Sequence, residues 1–245
     1  MRKFGLASAV TVALLLSFTS PPLRAESDWQ SQRDALAREV QKLARATSSY
    51  TGKPAIDDRV IAAIATVPRH EFVPEQFQHR AYENRPLPIG NGQTISQPYI
   101  VALMTDLAAI DAESSVLEIG TGSGYQAAVL AELVEHVYTI EIIATLGERA
   151  EATLARLDYD NVSVRIGDGY QGWPEHAPFD AILVTAAPES IPEPLIEQLA
   201  VGGRLVIPVG PQRGGQSLKL LTKLPDGEIE TTSVLPVRFV PFTRE

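Results

Sequence analysis

The sequence predicts an α/β protein: a doubly wound, mostly parallel sheet with helices at its N-terminal end and an antiparallel C-terminal edge. Three observations carry this expectation. Between residues 116 and 209, short apolar runs alternate with helical segments, the pattern of a parallel sheet covered on both faces. The first run, 116–119, breaks into glycines at alternate positions, Gly120, Gly122 and Gly124, and passes straight into helix-compatible sequence from Tyr125. Two period-2 segments, 217–224 and 228–234, flank Pro225, Asp226 and Gly227, which is a hairpin signal.

Taken in order, residues 1–25 begin with Arg2 and Lys3, continue through an uncharged apolar run over 4–18 and end at Ala25. The run is shorter than the ~20 residues a membrane span needs, and the segment resembles a secretory signal peptide. Export to a periplasm is therefore one expectation, with a cytoplasmic chain as the alternative. After removal of the segment no stable membrane insertion is expected. Residues 26–54 are expected to form a helical arm, since Trp29, Leu36, Val40 and Leu43 recur at helical intervals among charges before Gly52 and Pro54.

A main domain is expected over 55–245. It opens with a helix that has Asp57 and Asp58 in its first turn and Ile56, Val60, Ile61 and Ile64 on its apolar side. Pro68 and Pro74 then bracket an ordered loop. Residues 81–99 show neither helical nor strand period and almost no charge after Arg85, which marks a functional loop. Pro98 opens a further helix. After the glycine turn, helices are expected over 125–135, 143–157 and 192–200, and strands over 137–140, 162–166, 181–185 and 204–209.

The formal net charge is −9, and becomes −12 without the first 25 residues, which hold three basic residues and no acid. A phosphate backbone rewards clustered Lys and Arg, so no nucleic-acid partner is expected. With no cysteine the chain has no disulfide, thiol nucleophile or cysteine metal site, and His70, His79, His136 and His176 lack ligand spacing, so no metal is expected. The chain is expected to act as a monomer.

In a doubly wound sheet, ligands bind beyond the carboxyl ends of the strands near the point where strand order reverses. Four candidates fall at such ends: Glu118 with the glycine turn, Glu141, Asp168 and the stretch from Thr185 to Pro188. An acid at Glu141 suits ribose hydroxyls. One at Asp168 suits an adenine amino group, and one at Glu118 suits a cationic ligand by charge complementarity. A dinucleotide fingerprint would put its third glycine where Tyr125 stands, so the spacing disfavours a nicotinamide dehydrogenase.

Four stretches carry a more specific resemblance: PRHEFVP at 68–74, PLPIGNGQTISQP at 86–98, GDGYQGW at 167–173 and PVRFVP at 236–241. From about residue 55 onward the chain resembles the bacterial protein-L-isoaspartate O-methyltransferases, whose fold is of the Rossmann-like methyltransferase type. The resemblance implies S-adenosyl-L-methionine as cofactor and isoaspartyl-containing proteins or peptides as partners. It makes Ser96 the catalytic residue and places Glu118, Gly120, Thr121, Gly122, Gly124, Glu141, Asp168 and Gly169 around the cofactor. The implied reaction is methylation of the isoaspartyl α-carboxylate, followed by collapse to a succinimide whose hydrolysis returns some normal aspartate. An α-carboxyl with a pKa of about 3.5 is already ionised at neutral pH, so no general base is required. That agrees with a loop offering Thr94, Ser96, Gln93 and Gln97 rather than His or Lys. Two alternatives remain: a non-catalytic exported relative that binds cofactor or peptide, or a methyltransferase for another carboxylate, a small molecule or RNA. Amino-directed nucleic-acid methyltransferases carry an Asn/Asp-Pro-Pro-aromatic motif where this chain has Thr185, Ala186, Ala187 and Pro188.

Overall fold

The computed structural model describes residues 23–244. The segment expected to direct export lies outside them except for its last three residues, which open the first helix. Among the described residues no helix is long and apolar enough to cross a membrane.

Helix α1 (Leu23–Thr51) is longer than its apolar period indicates. Leu36, Val40 and Ala44 are buried in the same apolar cluster as the rest of the N-terminal half, so the helix packs onto the main body. The Gln41 side chain spans from it to the following segment, accepting from the Ile56 amide (3.0 Å) and donating to the Ile56 carbonyl (2.8 Å). Trp29 stacks on the His70 ring with centroids 4.4 Å apart. Helix α2 (Asp58–Thr66) starts where expected, with Asp57 as its cap accepting from the Arg59 amide at 2.8 Å.

The 81–99 segment departs from expectation. It contains a two-stranded antiparallel hairpin, β1 (Leu87–Gly90) and β2 (Gln93–Ile95), in place of a structureless loop. Asn91 (φ 52°) and Gly92 (φ 72°) form its turn, with both central residues in the left-handed region that an Asn-Gly pair tolerates. Helix α3 (Pro98–Ala108) follows. Its second amide, from Tyr99, is accepted by the Asn84 side chain at 3.0 Å, which ties the start of the segment to its end.

The seven-stranded sheet runs β5 (Val162–Ile166), β4 (His136–Glu141), β3 (Ser115–Ile119), β6 (Phe179–Val184), β7 (Leu199–Val209), β8 (Gln216–Lys223), β9 (Ile229–Val237). The first five are parallel, while β7–β8 and β8–β9 are antiparallel, giving the expected edge. Helices α4 (Tyr125–Ala131), α5 (Ala144–Arg156) and α6 (Glu193–Glu197) connect the strands. α4 and α6 are shorter than the sequence indicates, and β7 begins five residues early, at Leu199. Alternate strand residues serve opposite faces: Val116 joins the cluster under α1–α5, whereas Leu117 and Ile119 join the one under α6. Strand order reverses between β3 and β6, so the site is expected where those two strands end.

Candidate functional site

At that reversal the backbone has little freedom. Gly120 follows β3 with φ 98°, and the neighbouring Thr185 at the end of β6 donates its hydroxyl to the Gly120 carbonyl (2.7 Å) and the Ile119 carbonyl (3.1 Å). A Cβ on residue 120 would lie 2.5 Å from that hydroxyl oxygen, so both dihedral and packing demand glycine. The Gly120 and Thr121 amides close onto the Ile140 carbonyl of β4 at 2.8 and 3.2 Å. Gly122 (φ 55°) donates its amide to Glu141 Oε2 at 2.7 Å, while Glu141 Oε1 accepts from the Ile143 amide at 2.9 Å. Glu141 thus shapes the turn, and each of its oxygens keeps a second lone pair for a hydroxyl.

Glu118 lies beneath the turn and is wholly buried. Parallel pairing sets it opposite Thr139, whose hydroxyl donates to Oε2 at 2.6 Å and also lies 2.7 Å from the Thr121 hydroxyl. Oε1 has no partner among the described residues. Burial pushes this carboxyl up to about 8, against the Thr139 hydrogen bond and with help from the negative charge of Glu141.

These groups line one cleft of about 770 Å³, counting its open mouth, which is of ligand-binding size. One wall is the hairpin end, Gln93 to Ser96. The floor holds Glu118, Gly120, Thr121, Gly122 and Glu141, and Gly169 and Thr185 complete it. Ser96 has no hydrogen bond for its hydroxyl among the described residues, and it is not the cap of α3: that position belongs to Gln97. A Cβ on Gly169 would collide with Ile119 Cγ2, so the floor needs glycine there also.

Two of the residues singled out in the sequence do not line the cleft. Gly124 (φ 89°) is the N-cap of α4, packed against Leu154 and Ala150. Asp168 caps the turn that begins at Gly169, accepting from the Tyr170 amide at 2.9 Å, and pairs with Arg244 at 3.3 Å. A further wall had no role assigned from sequence: the tail residues Val240, Pro241, Phe242 and Thr243. The Ala187 amide donates to the Val240 carbonyl (2.8 Å) and the Phe242 amide to the Ala187 carbonyl (3.1 Å), which fastens the tail beside β6. The PVRFVP stretch, whose last two residues are Val240 and Pro241, was visible in the sequence, but nothing there tells where it lies.

A buried carboxylate with one oxygen unpartnered among the described residues, beneath a turn whose glycines leave its backbone bare, fits a nucleoside ligand carrying positive charge. Comparisons with known proteins point the same way. Residues 47–245 match the family model described as protein-L-isoaspartate(D-aspartate) O-methyltransferase. The chain is 62% identical over 208 residues to protein-L-isoaspartate O-methyltransferase 2 of Polaromonas sp., covering 85% of this chain and 99% of that one. It is 56% identical over 237 residues to the Syntrophobacter fumaroxidans protein of the same name, covering 96% of each. Among solved structures, a protein-L-isoaspartate O-methyltransferase superposes with a TM-score of 0.74 at 30% identity, over 85% of this chain and 65% of that one. A Plasmodium falciparum β-aspartate methyltransferase in complex with S-adenosyl-L-homocysteine gives 0.72 at 25% identity, over 87% of this chain and 99% of that one.

Proposed function

The chain belongs to the protein-L-isoaspartate(D-aspartate) O-methyltransferase family, and from that premise we propose that it methylates the α-carboxylate of L-isoaspartyl residues in damaged proteins and peptides, using S-adenosyl-L-methionine. The observation that carries the proposal is that Ser96 and the glycine turn line the same cleft. One wall presents uncharged donors and acceptors to an acceptor group; the floor presents a buried carboxylate and a glycine cradle to a cofactor.

When bound, S-adenosyl-L-methionine supplies an electrophilic methyl group on a positively charged sulfur. Glu118 offers the counter-charge, and Glu141 accepts the ribose hydroxyls. The backbone at Gly120, Gly122 and Gly169 lets the ligand approach closely. Asp168 acts from behind Gly169 by fixing the turn that carries it, and Gly124 by starting α4. The Ser96 hydroxyl, without a hydrogen-bond partner among the described residues, donates to one oxygen of the substrate α-carboxylate and aligns the other for attack. Proton removal is unnecessary because that carboxylate is already ionised at neutral pH. The residues' work is positioning, worth up to ~7–11 kcal/mol in ideal intramolecular cases. Attack joins an anion to a cation, and a cleft that sheds water favours that neutralisation.

An isoaspartyl peptide incubated with the protein and S-adenosyl-L-methionine should decline by chromatography while its normal aspartyl twin accumulates. An isoaspartyl peptide that persists unchanged would refute the activity and leave a cofactor-binding relative as the better account. Export of the protein is proposed from residues 1–25 alone. Cell fractionation that finds the chain in the periplasm, shortened by about the length of a signal segment, supports it; recovery of the intact chain in the cytosol removes it.

A further inference from the structure

Arg69 is among the largest wholly buried side chains of the described residues and lies in the short 3-10 turn Arg69–Phe72 between Pro68 and Pro74. Among the described residues no carboxylate pairs with it. Nε donates to the main-chain carbonyl of Ala81 (2.9 Å) and Nη2 to those of Ser96 (2.9 Å) and, more distantly, Arg85 (3.4 Å), while the buried Nη1 has no partner among the described residues. Its guanidinium carbon lies 4.7 Å from the centroid of the Tyr125 ring, and Tyr125 is the first residue of α4 after the glycine turn. An unpaired buried cation is unfavourable for stability on its own account. This one touches both ends of the 81–96 segment and the start of the cofactor helix at once.

We propose that Arg69 is a positioning residue for methyl transfer, clamping the 81–96 segment closed and holding the Ser96 backbone at a fixed place against the cofactor turn. The role rests on the methylation reading above. Ala81 and Ser96 are fifteen positions apart in sequence and meet on one planar group, so a shift of the guanidinium moves the acceptor wall relative to the floor. Displacement of about 1 Å at a reacting group can cost ~10²-fold in rate. Lysine keeps the charge but is a single point donor, without the fork that reaches three carbonyls. Burial holds the guanidinium lower than an exposed one, at about 10, which still leaves it charged at neutral pH.

The test is a double-mutant cycle of Arg69→Lys with Ser96→Ala, read by steady-state kinetics on an isoaspartyl peptide and by S-adenosylhomocysteine titration. Arg69→Lys is expected to lower kcat/KM at least ~10-fold, mostly in kcat, with cofactor affinity held within about twofold. In the Ser96→Ala background it should add less than about threefold, because the two act through one geometry. Equal losses in both backgrounds, or cofactor affinity falling in step with rate, would overturn the proposal. Arg69→Gln, which keeps two donors without charge, is carried in parallel; if both variants fail to bind S-adenosylhomocysteine, Arg69 belongs to the fold and the proposal is wrong. Wild-type protein that never methylates the peptide overturns the methylation reading, and this role with it.

Discussion

Thr139 donates a hydrogen bond of 2.6 Å to Glu118 across the β3–β4 pair, and the other carboxylate oxygen of Glu118, beneath the glycine turn, has no partner among the described residues. Burial holds this group protonated to about 8 in the ligand-free protein. The folded value stands above the unfolded one, so its contribution to stability is full below the ordinary glutamate range and is lost as pH rises through about 8. A cationic ligand favours the charged form, so S-adenosyl-L-methionine should bind with proton release from pH 6 to about 8 and tighten as pH rises. Glu118→Gln should abolish that proton release and weaken binding by about 10-fold or more. Calorimetry in buffers of different ionisation enthalpy checks both; pH-independent binding in the wild type would contradict them.

Gly120→Ala should be among the most damaging small substitutions. It forces a side chain into φ 98° and against the Thr185 hydroxyl, 2.5 Å from the new Cβ. A strain of about 1–3 kcal/mol corresponds to roughly 5- to 150-fold weaker cofactor binding, provided the fold survives. Gly120→Ala combined with Thr185→Ala should recover part of the loss. Titration with S-adenosylhomocysteine measures each, and an unaffected single variant would refute the close approach.

Ser96→Ala removes a hydroxyl that no described residue uses. Its loss should cost about 1.5–3 kcal/mol of transition-state stabilisation, roughly 10- to 150-fold in kcat/KM, if it bonds a charged carboxylate. Melting temperature and cofactor affinity should not change. Unaltered turnover would remove Ser96 from the reaction.

Arg244 pairs with Asp168 and lies 3.7 Å above the Tyr170 ring, pinning the tail that walls the cleft. The pair is half-exposed, so Arg244→Ala should leave thermal stability nearly unchanged, within ~1 kcal/mol. Release of the tail should instead speed cofactor dissociation by about two- to fivefold. Stopped-flow displacement of S-adenosylhomocysteine measures this; an identical off-rate would mean the tail is only scenery.

The sheet was legible because its strands are short apolar runs in strict alternation with helices, and the Gly120–Gly124 turn sits where the strand order reverses. Six of the nine site residues singled out from sequence meet in one cleft for that reason, and Ser96 joins them from the end of the hairpin. The hairpin at Leu87–Ile95 was obscured by its short strands, by Pro88 within it and by Pro86 and Pro98 on either side, although Asn91 and Gly92 carried the turn signal. Arg69 and the first half of the 240–243 tail lie in stretches that stood out in the sequence, but their placement was not legible. Their placement depends on contacts across long sequence separations, such as Arg69 with Ser96 and Ala187 with Val240, and no local period encodes these.

The central claim is transfer of a methyl group to an isoaspartyl α-carboxylate. It is tested most directly by counting methyl groups moved from labelled S-adenosyl-L-methionine to an isoaspartyl peptide and, separately, to its normal aspartyl twin. The account predicts incorporation into the isoaspartyl peptide alone, as a base-labile ester. Equal labelling of both peptides, or labelling of neither, would contradict it.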